Sequence, residues 1–168
     1  MPKTLREALA AFDGKAVSLL SEAAVRFGDD PGYIDQLIHL SADPSAHMSS
    51  GSTWLLKAHL DEGGTLDMAH VDALADQLAH IVDWQAQLHI CQCIARLQPT
   101  QTSSAKFAGW LQPLLTHKRP FLRAWSLDAF CAVARVDLSY MSDAKAALAA
   151  AQEDSAASVR ARARKIKI

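Results

Sequence analysis

Turn-forming residues are scarce in this chain of 168 residues, which contains only seven glycines and six prolines. So few of them argue against a β fold with many tight turns. Alanine and leucine dominate while valine, isoleucine and threonine are comparatively sparse, which favours helices over strands by intrinsic propensity. Half of the residues are hydrophobic. This is enough for a sizeable core in a single domain and argues against disorder.

Long hydrophobic runs are missing as well. No uncharged segment reaches the roughly 18 apolar residues of a membrane-spanning helix. The N-terminal segment, MPKTLREALAAFDGK, carries charges where a secretory signal has its apolar run. Three cysteines, Cys91, Cys93 and Cys131, are an odd number in apolar surroundings, which fits reduced thiols. We therefore expect a cytoplasmic protein without a membrane partner.

Neither sign of charge predominates, because 17 basic and 18 acidic residues give a formal net charge of −1. Such a chain has no overall attraction toward nucleic acid or anionic lipid. Its cations are unevenly placed, since residues 160–168 contain arginines and lysines but no acid. We interpret this segment as a solvated basic cap on a helix C-terminus. Contact with an acidic partner, phosphate or nucleic acid is the alternative.

Motifs for metal binding or catalysis are not present. On a helix Cys91 and Cys93 point about 200° apart and cannot share a tetrahedral zinc ion, so they are interpreted as core residues. None of the seven histidines forms an i, i+4 pair, and they are expected at the surface or its boundary. They are His39, His47, His59, His70, His80, His89 and His117. There is no glycine-rich phosphate loop and no GxSxG motif. We expect a protein that is not an enzyme and has no metal or cofactor.

Apolar residues recur at intervals of three and four along the whole chain, which predicts successive helices joined by short turns. The clearest stripe runs from Val71 to Val82. Thr4 and Glu7 have the spacing of a capping box, and Pro113 is expected to kink the helix that contains it. The ten predicted segments are approximately residues 5–12, 15–27, 34–38, 46–60, 67–82, 83–97, 103–116, 120–136, 142–152 and 155–168.

The second helix of each predicted pair shows an internal repeat. Gly51, Leu88, Ala124 and Ala161 lie in the first turns of these helices at intervals of 36 or 37 residues. A fixed period of this kind is typical of stacked helical hairpins, which share a core because one hairpin cannot bury its apolar face alone. The spacing predicts four repeats over residues 31–168, preceded by a degenerate capping hairpin over residues 1–28.

These hairpins resemble HEAT repeats. The last one matches the pattern Asp-x4-Val-Arg-x-x-Ala with Asp154, Val159, Arg160 and Ala163. The preceding hairpin has Pro113 in its first helix and Leu122, Arg123 and Ser126 in its second, with His117 in place of the aspartate. In the earlier repeats Gln87 and Ser50 stand where the arginine belongs. The resemblance covers residues 31–168, most closely 103–168. It implies an all-α, right-handed α-α superhelix of about five helical hairpins, forming one HEAT-like, armadillo-like domain over residues 1–168.

The resemblance also implies roles for the arginines. In HEAT proteins they tie neighbouring repeats together, so Arg160 is expected to reach Asp154 and the adjacent turn. Arg123 is expected to do the same toward Asp83 or Asp137.

In the same family the second helices line a concave face, which here would carry Trp125 with arginines nearby. Tryptophan and arginine are frequent energetic centres of interfaces, although packing of Trp125 between repeats is an equal alternative. Trp54 and Trp110 lie on apolar stripes and are expected in the core. The candidate partner-binding residues are His89, Gln92, Arg96, Arg123, Trp125, Asp128, Arg135, Arg162 and Lys165.

The function we expect is a non-catalytic scaffold that binds another protein on the concave face. The alternative is a DNA-binding protein like the HEAT-type alkylation-repair DNA glycosylases, with Trp125, Asp128 and Arg123 on its concave face. The short chain and its balanced charge make nucleic acid the less favoured partner. A helper resembling the phycobilin-lyase HEAT group is a third alternative, which no residue singles out.

Overall fold

The computed structural model describes residues 1–168, which form ten α-helices and no β-strand. The all-α prediction is therefore confirmed. The helices are α1 Leu5–Ala10, α2 Val17–Phe27, α3 Tyr33–Ser41, α4 Ala46–Asp61, α5 Met68–Gln77, α6 Trp84–Leu97, α7 Gln101–Leu111, α8 Pro120–Val136, α9 Met141–Gln152 and α10 Ala157–Ala163. Three 3₁₀ turns cover Leu78–His80, Gln112–Thr116 and Leu138–Tyr140. None of the helices combines the length and the apolar character that crossing a bilayer requires.

The contacts divide the chain into two compact units, residues 1–89 and 90–168, which we call the N-terminal unit and the C-terminal unit. In the N-terminal unit, α4 packs against α1, α2 and α3, and α3 also contacts α5. In the C-terminal unit, α8 packs against α7, α9 and α10. One long helix is thus the centre of each unit.

The N-terminal unit buries α4 although much of this helix is polar. The hydroxyl of Ser49 donates to the Ser41 carbonyl oxygen at 2.5 Å, and that of Ser52 donates to the Ser49 carbonyl oxygen at 3.0 Å. A buried hydroxyl costs little when it is hydrogen-bonded, so these serines are tolerated in the core. Gly51 lies between them, and its missing side chain makes room for Leu9 and Leu20 of the first hairpin.

The core of the C-terminal unit is built from α7 and α8. Phe107 and Phe130 are almost fully buried, as are Leu122 and Val133. Cys131 is buried among them, and Cys91 and Cys93 are buried as well, all three as free thiols. The interpretation of the cysteines as core residues is confirmed.

Several predicted helix ends are wrong. The helix containing Pro113 does not continue with a kink, because α7 stops at Leu111 and the chain goes on as a 3₁₀ turn. A 3₁₀ turn likewise replaces the last part of the fifth segment. The ninth segment begins at Met141, directly after the 3₁₀ turn that Asp137 caps. The last helix ends at Ala163 rather than at the C-terminus. Packing decides these ends, whereas hydrophobic periodicity cannot distinguish a 3₁₀ turn from the end of an α-helix.

Two tryptophans are also less buried than predicted. Trp54 and Trp110 are only half-buried, although both were expected in the core. Their large rings follow the apolar stripes of α4 and α7, but part of each ring stays in contact with solvent.

Candidate binding surface

The turns that lead into the even-numbered helices share one local geometry. In each of them a polar side chain accepts a hydrogen bond from the backbone N–H two residues later, at 2.8–3.1 Å. The acceptors are Asp13, Asp43, Asp83, His117 and Asp154. His117 fills the aspartate position with its Nδ1 atom, which requires the neutral ring. Burial, followed by the nearby cations, lowers the pKa of His117 and so favours that form.

A second contact recurs at the start of α6, α8 and α10. The side chains of Gln87, Arg123 and Arg160 each donate to the carbonyl oxygen six residues earlier, at 3.1, 2.8 and 2.6 Å respectively. These residues are 36 and 37 positions apart. Gln87 therefore makes the same kind of contact as Arg123 and Arg160. The expected contact of Arg160 with the turn at Asp154 is confirmed.

Arg123 joins α8 to the turn before α10. Its Nε and Nη2 atoms donate to the two oxygens of Asp154 at 2.9 and 2.8 Å, and only 15% of its side chain is exposed. This hydrogen bonding lowers the pKa of Asp154 and raises that of Arg123. The prediction that Arg123 reaches Asp83 or Asp137 is wrong, because its partner is Asp154. With its donors engaged by Asp154 and by the preceding turn, Arg123 has little capacity left for a partner molecule.

One row of equivalent positions in the second helices has side chains in contact. Thr53, His89, Trp125 and Arg162 are separated by 36, 36 and 37 residues. In the N-terminal unit, Thr53 Oγ1 lies 3.1 Å from His89 Nδ1. In the C-terminal unit, the guanidinium carbon of Arg162 lies 3.7 Å from the centre of the Trp125 ring. Within each unit, two residues that are 36 or 37 positions apart are thus direct neighbours.

His89 is held as a neutral ring. Burial lowers its pKa to about 4, and the positive charge of Lys57 adds to the effect. The hydroxyl of Thr53 already donates to a backbone carbonyl of α4. We therefore assign the ring proton to Nδ1, which donates to Thr53. The His89 ring ties α6 to α4 and carries no charge at neutral pH.

Trp125 and Arg162 form a stacked pair that is only partly covered. A guanidinium carbon this close to the centre of an indole ring makes a cation–π contact over the ring face. The guanidinium N–H groups of Arg162 make no hydrogen bond or ion pair with the protein. The pair therefore combines the aromatic ring of Trp125 with guanidinium N–H groups of Arg162 that have no acceptor within the protein.

A partly exposed stripe of α8 runs from Trp125 through Asp128 to Arg135, at positions i, i+3 and i+10. Trp125 and Asp128 are half-buried, and Arg135 is exposed. Arg135 donates to the Lys167 carbonyl oxygen at 2.8 Å. Lys165 is exposed just after α10, and its backbone N–H closes a turn onto the Arg162 carbonyl oxygen. We call these five residues, Trp125, Asp128, Arg135, Arg162 and Lys165, the α8–α10 surface. It has three cations and one carboxylate.

The remaining predicted site residues lie on α6. His89, Gln92 and Arg96 share one face of this helix at i, i+3 and i+7. Arg96 is exposed, and its Nη2 atom lies 3.4 Å from the Gln92 carbonyl oxygen. Thr53 was not identified from the sequence as the neighbour of His89. Its distance of 36 residues from His89 is the signal that identifies it.

A nucleophile or metal centre is not apparent among residues 1–168. Burial raises the pKa of the Cys91 thiol and raises that of Cys131 to about 11, so neither forms a thiolate at neutral pH. No group of three or more histidine, cysteine, aspartate or glutamate side chains is placed to hold a metal ion. The distinctive chemistry of the C-terminal unit is the α8–α10 surface.

Comparison with protein-family models, curated proteins and solved structures found no match.

Proposed function

We propose that the chain is a non-catalytic protein-interaction module of HEAT-like design. Its helical hairpins stack as a right-handed solenoid, and a partner protein binds the concave face formed by the second helices. The repeated turn geometry, in which His117 takes the place of an aspartate, supports the stacking. The recurring contact made by Gln87, Arg123 and Arg160 supports it as well.

The observation that carries the binding function is the stacked pair of Trp125 and Arg162. The two residues are 37 positions apart and hold each other in one orientation while remaining partly accessible. Interfaces obtain most of their binding energy from a few such aromatic and arginine side chains. Side chains that are already ordered lose less entropy when a partner binds.

The DNA-repair alternative has less support. Of its three candidate residues, Arg123 is engaged by Asp154 and by the preceding turn, so its guanidinium is not free for a phosphate. The chain also has a net charge of −1, so it has no overall electrostatic attraction for DNA.

Site-specific photo-crosslinking tests the binding function. In cells that express the protein naturally, a benzoylphenylalanine replaces Ala132. This residue is half-buried and lies between Asp128 and Arg135 on the partly exposed stripe of α8. The control position is Ala149, which is exposed on α9. We expect one protein to be captured from position 132 and not from position 149. The Trp125→Ala variant should abolish this capture, whereas Trp110→Ala, which removes another half-buried tryptophan, should preserve it. Capture of the same proteins from both positions, or of none, would contradict the proposal.

Small-angle scattering tests the stacked arrangement separately. A compact domain of this length has a radius of gyration of about 15 Å. We expect a clearly larger value and an elongated distance distribution, because stacked hairpins extend along one axis. A value at the compact limit would contradict the solenoid.

A further inference from the structure

Arg162 differs from three other arginines of the C-terminal unit, Arg123, Arg135 and Arg160. The guanidinium groups of these three arginines all donate to oxygen atoms of the protein. That of Arg162 lies over the Trp125 ring and donates to none. Stacking covers the face of a guanidinium but leaves the N–H groups in its plane available. The edge of Arg162 is therefore a ready donor for a planar, two-oxygen acceptor.

Two further cations belong to the α8–α10 surface. Lys165 and Arg135 are exposed, and neither makes an ion pair with a carboxylate. The only acid on the α8–α10 surface is Asp128, one helical turn after Trp125. The surface thus has an excess of cations in a chain whose net charge is slightly negative. Such local charge favours a partner of opposite sign and speeds its association.

We propose that the α8–α10 surface binds an acidic segment of the partner protein. One carboxylate of that segment accepts two hydrogen bonds from the edge of Arg162 above Trp125, and further carboxylates lie near Lys165 and Arg135. Arginine is suited to this role because its fork of donors matches the two oxygens of a carboxylate. The inference rests on the proposed function and adds the chemistry of the partner.

Asp128 favours an acidic protein segment over a nucleic acid. A phosphate backbone is uniformly negative and would place charge beside this carboxylate wherever it crossed α8. A protein segment can present a neutral or basic side chain there and acidic side chains at Arg162 and Lys165. Three cations are also few for nucleic acid, whose affinity grows with the number of neutralised phosphates.

Fluorescence anisotropy with defined probes tests the inference. The probe is a labelled peptide of alternating glutamate and serine, with a glutamine–serine peptide and a single-stranded oligonucleotide of equal charge as comparisons. We expect the glutamate peptide to bind at low salt and the glutamine peptide not to bind. The Arg162→Gln variant should weaken the binding at least fivefold. Arg162→Lys, which keeps the charge but loses the fork, should weaken it about threefold.

The matched control is Arg164→Gln, which removes one exposed cation from the end of α10 without touching Trp125. We expect a change of less than twofold. Equal losses for Arg162→Gln and Arg164→Gln would mean a diffuse charge effect and overturn the inference. Absence of binding to the glutamate peptide, or tighter binding of the oligonucleotide, would overturn it as well.

The crosslinking experiment separates the two proposals. If no protein is captured at position 132, the proposed function fails. If one is captured but its crosslinked segment is not acidic and Arg162→Gln leaves capture unchanged, only the acidic character of the partner is wrong. Mass spectrometry of the crosslinked peptide shows directly whether the captured segment is acidic.

Discussion

Arg123 and Asp154 are joined by two parallel hydrogen bonds of 2.9 and 2.8 Å, between α8 and the turn before α10. Both side chains are largely shielded from solvent, with 15% and 16% exposed. Paired bonds between charged groups are stronger than single neutral ones. This contact joins α8, which carries Trp125, to the turn before α10, which carries Arg162.

Arg123→Ala is expected to lower the free energy of unfolding by about 2 kcal/mol, because Asp154 and a turn carbonyl lose the hydrogen bonds that Arg123 donates. Urea denaturation measures this change. The control is Lys57→Ala, which breaks the exposed i, i+4 pair with Asp61 and should cost less than about 0.5 kcal/mol. Equal effects of the two substitutions would show that the Arg123 contact is an ordinary surface pair.

The contribution of this contact should also depend on pH. The pKa of Asp154 is lowered in the folded state, chiefly by the bond to Arg123. Its stabilisation is therefore complete above the ordinary aspartate pKa and is lost as the pH falls through the lowered value. We expect the difference between the wild type and Arg123→Ala to shrink below about pH 4. A difference that stays constant down to pH 2 would contradict this assignment.

His89 should make the protein sensitive to mild acid. Its pKa is about 4 when folded and 6.5 ordinarily, so the unfolded chain binds more protons between these values. Stability is consequently greatest above pH 6.5 and is lost on acidification toward pH 4, by up to about 3 kcal/mol. Denaturation of His89→Gln at pH 7, 5.5 and 4.5 should show a flatter profile than the wild type. His80→Gln, an exposed control, should keep the wild-type slope.

Two glycines within helices are expected to respond differently to alanine. A Cβ at Gly109 meets nothing within 4 Å, so Gly109→Ala should stabilise the protein by about 0.5–1 kcal/mol through helix propensity. A Cβ at Gly51 would lie 3.2–3.3 Å from side-chain atoms of Phe12, Leu20 and Leu9. We expect Gly51→Ala to be at least about 1 kcal/mol less stable than Gly109→Ala, because overpacking offsets the propensity. Thermal unfolding of both variants measures the difference.

Two completely buried serines differ in the hydrogen bonding of their hydroxyl groups. The hydroxyl of Ser104 has no hydrogen-bond partner, whereas that of Ser126 donates to the Arg123 carbonyl oxygen at 3.0 Å. Ser104→Ala should therefore stabilise the protein by about 1 kcal/mol, since it removes an unsatisfied polar group. Ser126→Ala should destabilise it by a similar amount. A loss of stability in Ser104→Ala would indicate a partner for that hydroxyl.

The helices themselves follow from local sequence chemistry. Thr4 caps α1 by accepting the Glu7 N–H, as predicted from their spacing. The Glu7 carboxylate, however, accepts the N–H of Lys3 rather than that of Thr4. Ser45 likewise caps α4. These signals are readable because a cap acts within four residues of the chain. The ends at Leu111 and Ala163 were not predictable, because distant packing decides where the last turn stops.

The sequence by itself determined the helical character of the chain, through its periodicity, and the positions that are equivalent at intervals of 36 or 37 residues. It could not determine the partners of its arginines. Their side chains are long enough to reach several turns. Arg123 pairs with Asp154 rather than with Asp83 or Asp137. Only the tertiary structure decided that Arg162 lies on Trp125, because that contact depends on how α8 and α10 pack. This packing is the sum of many small contacts along both helices. The spacing of residues within either helix does not predict it.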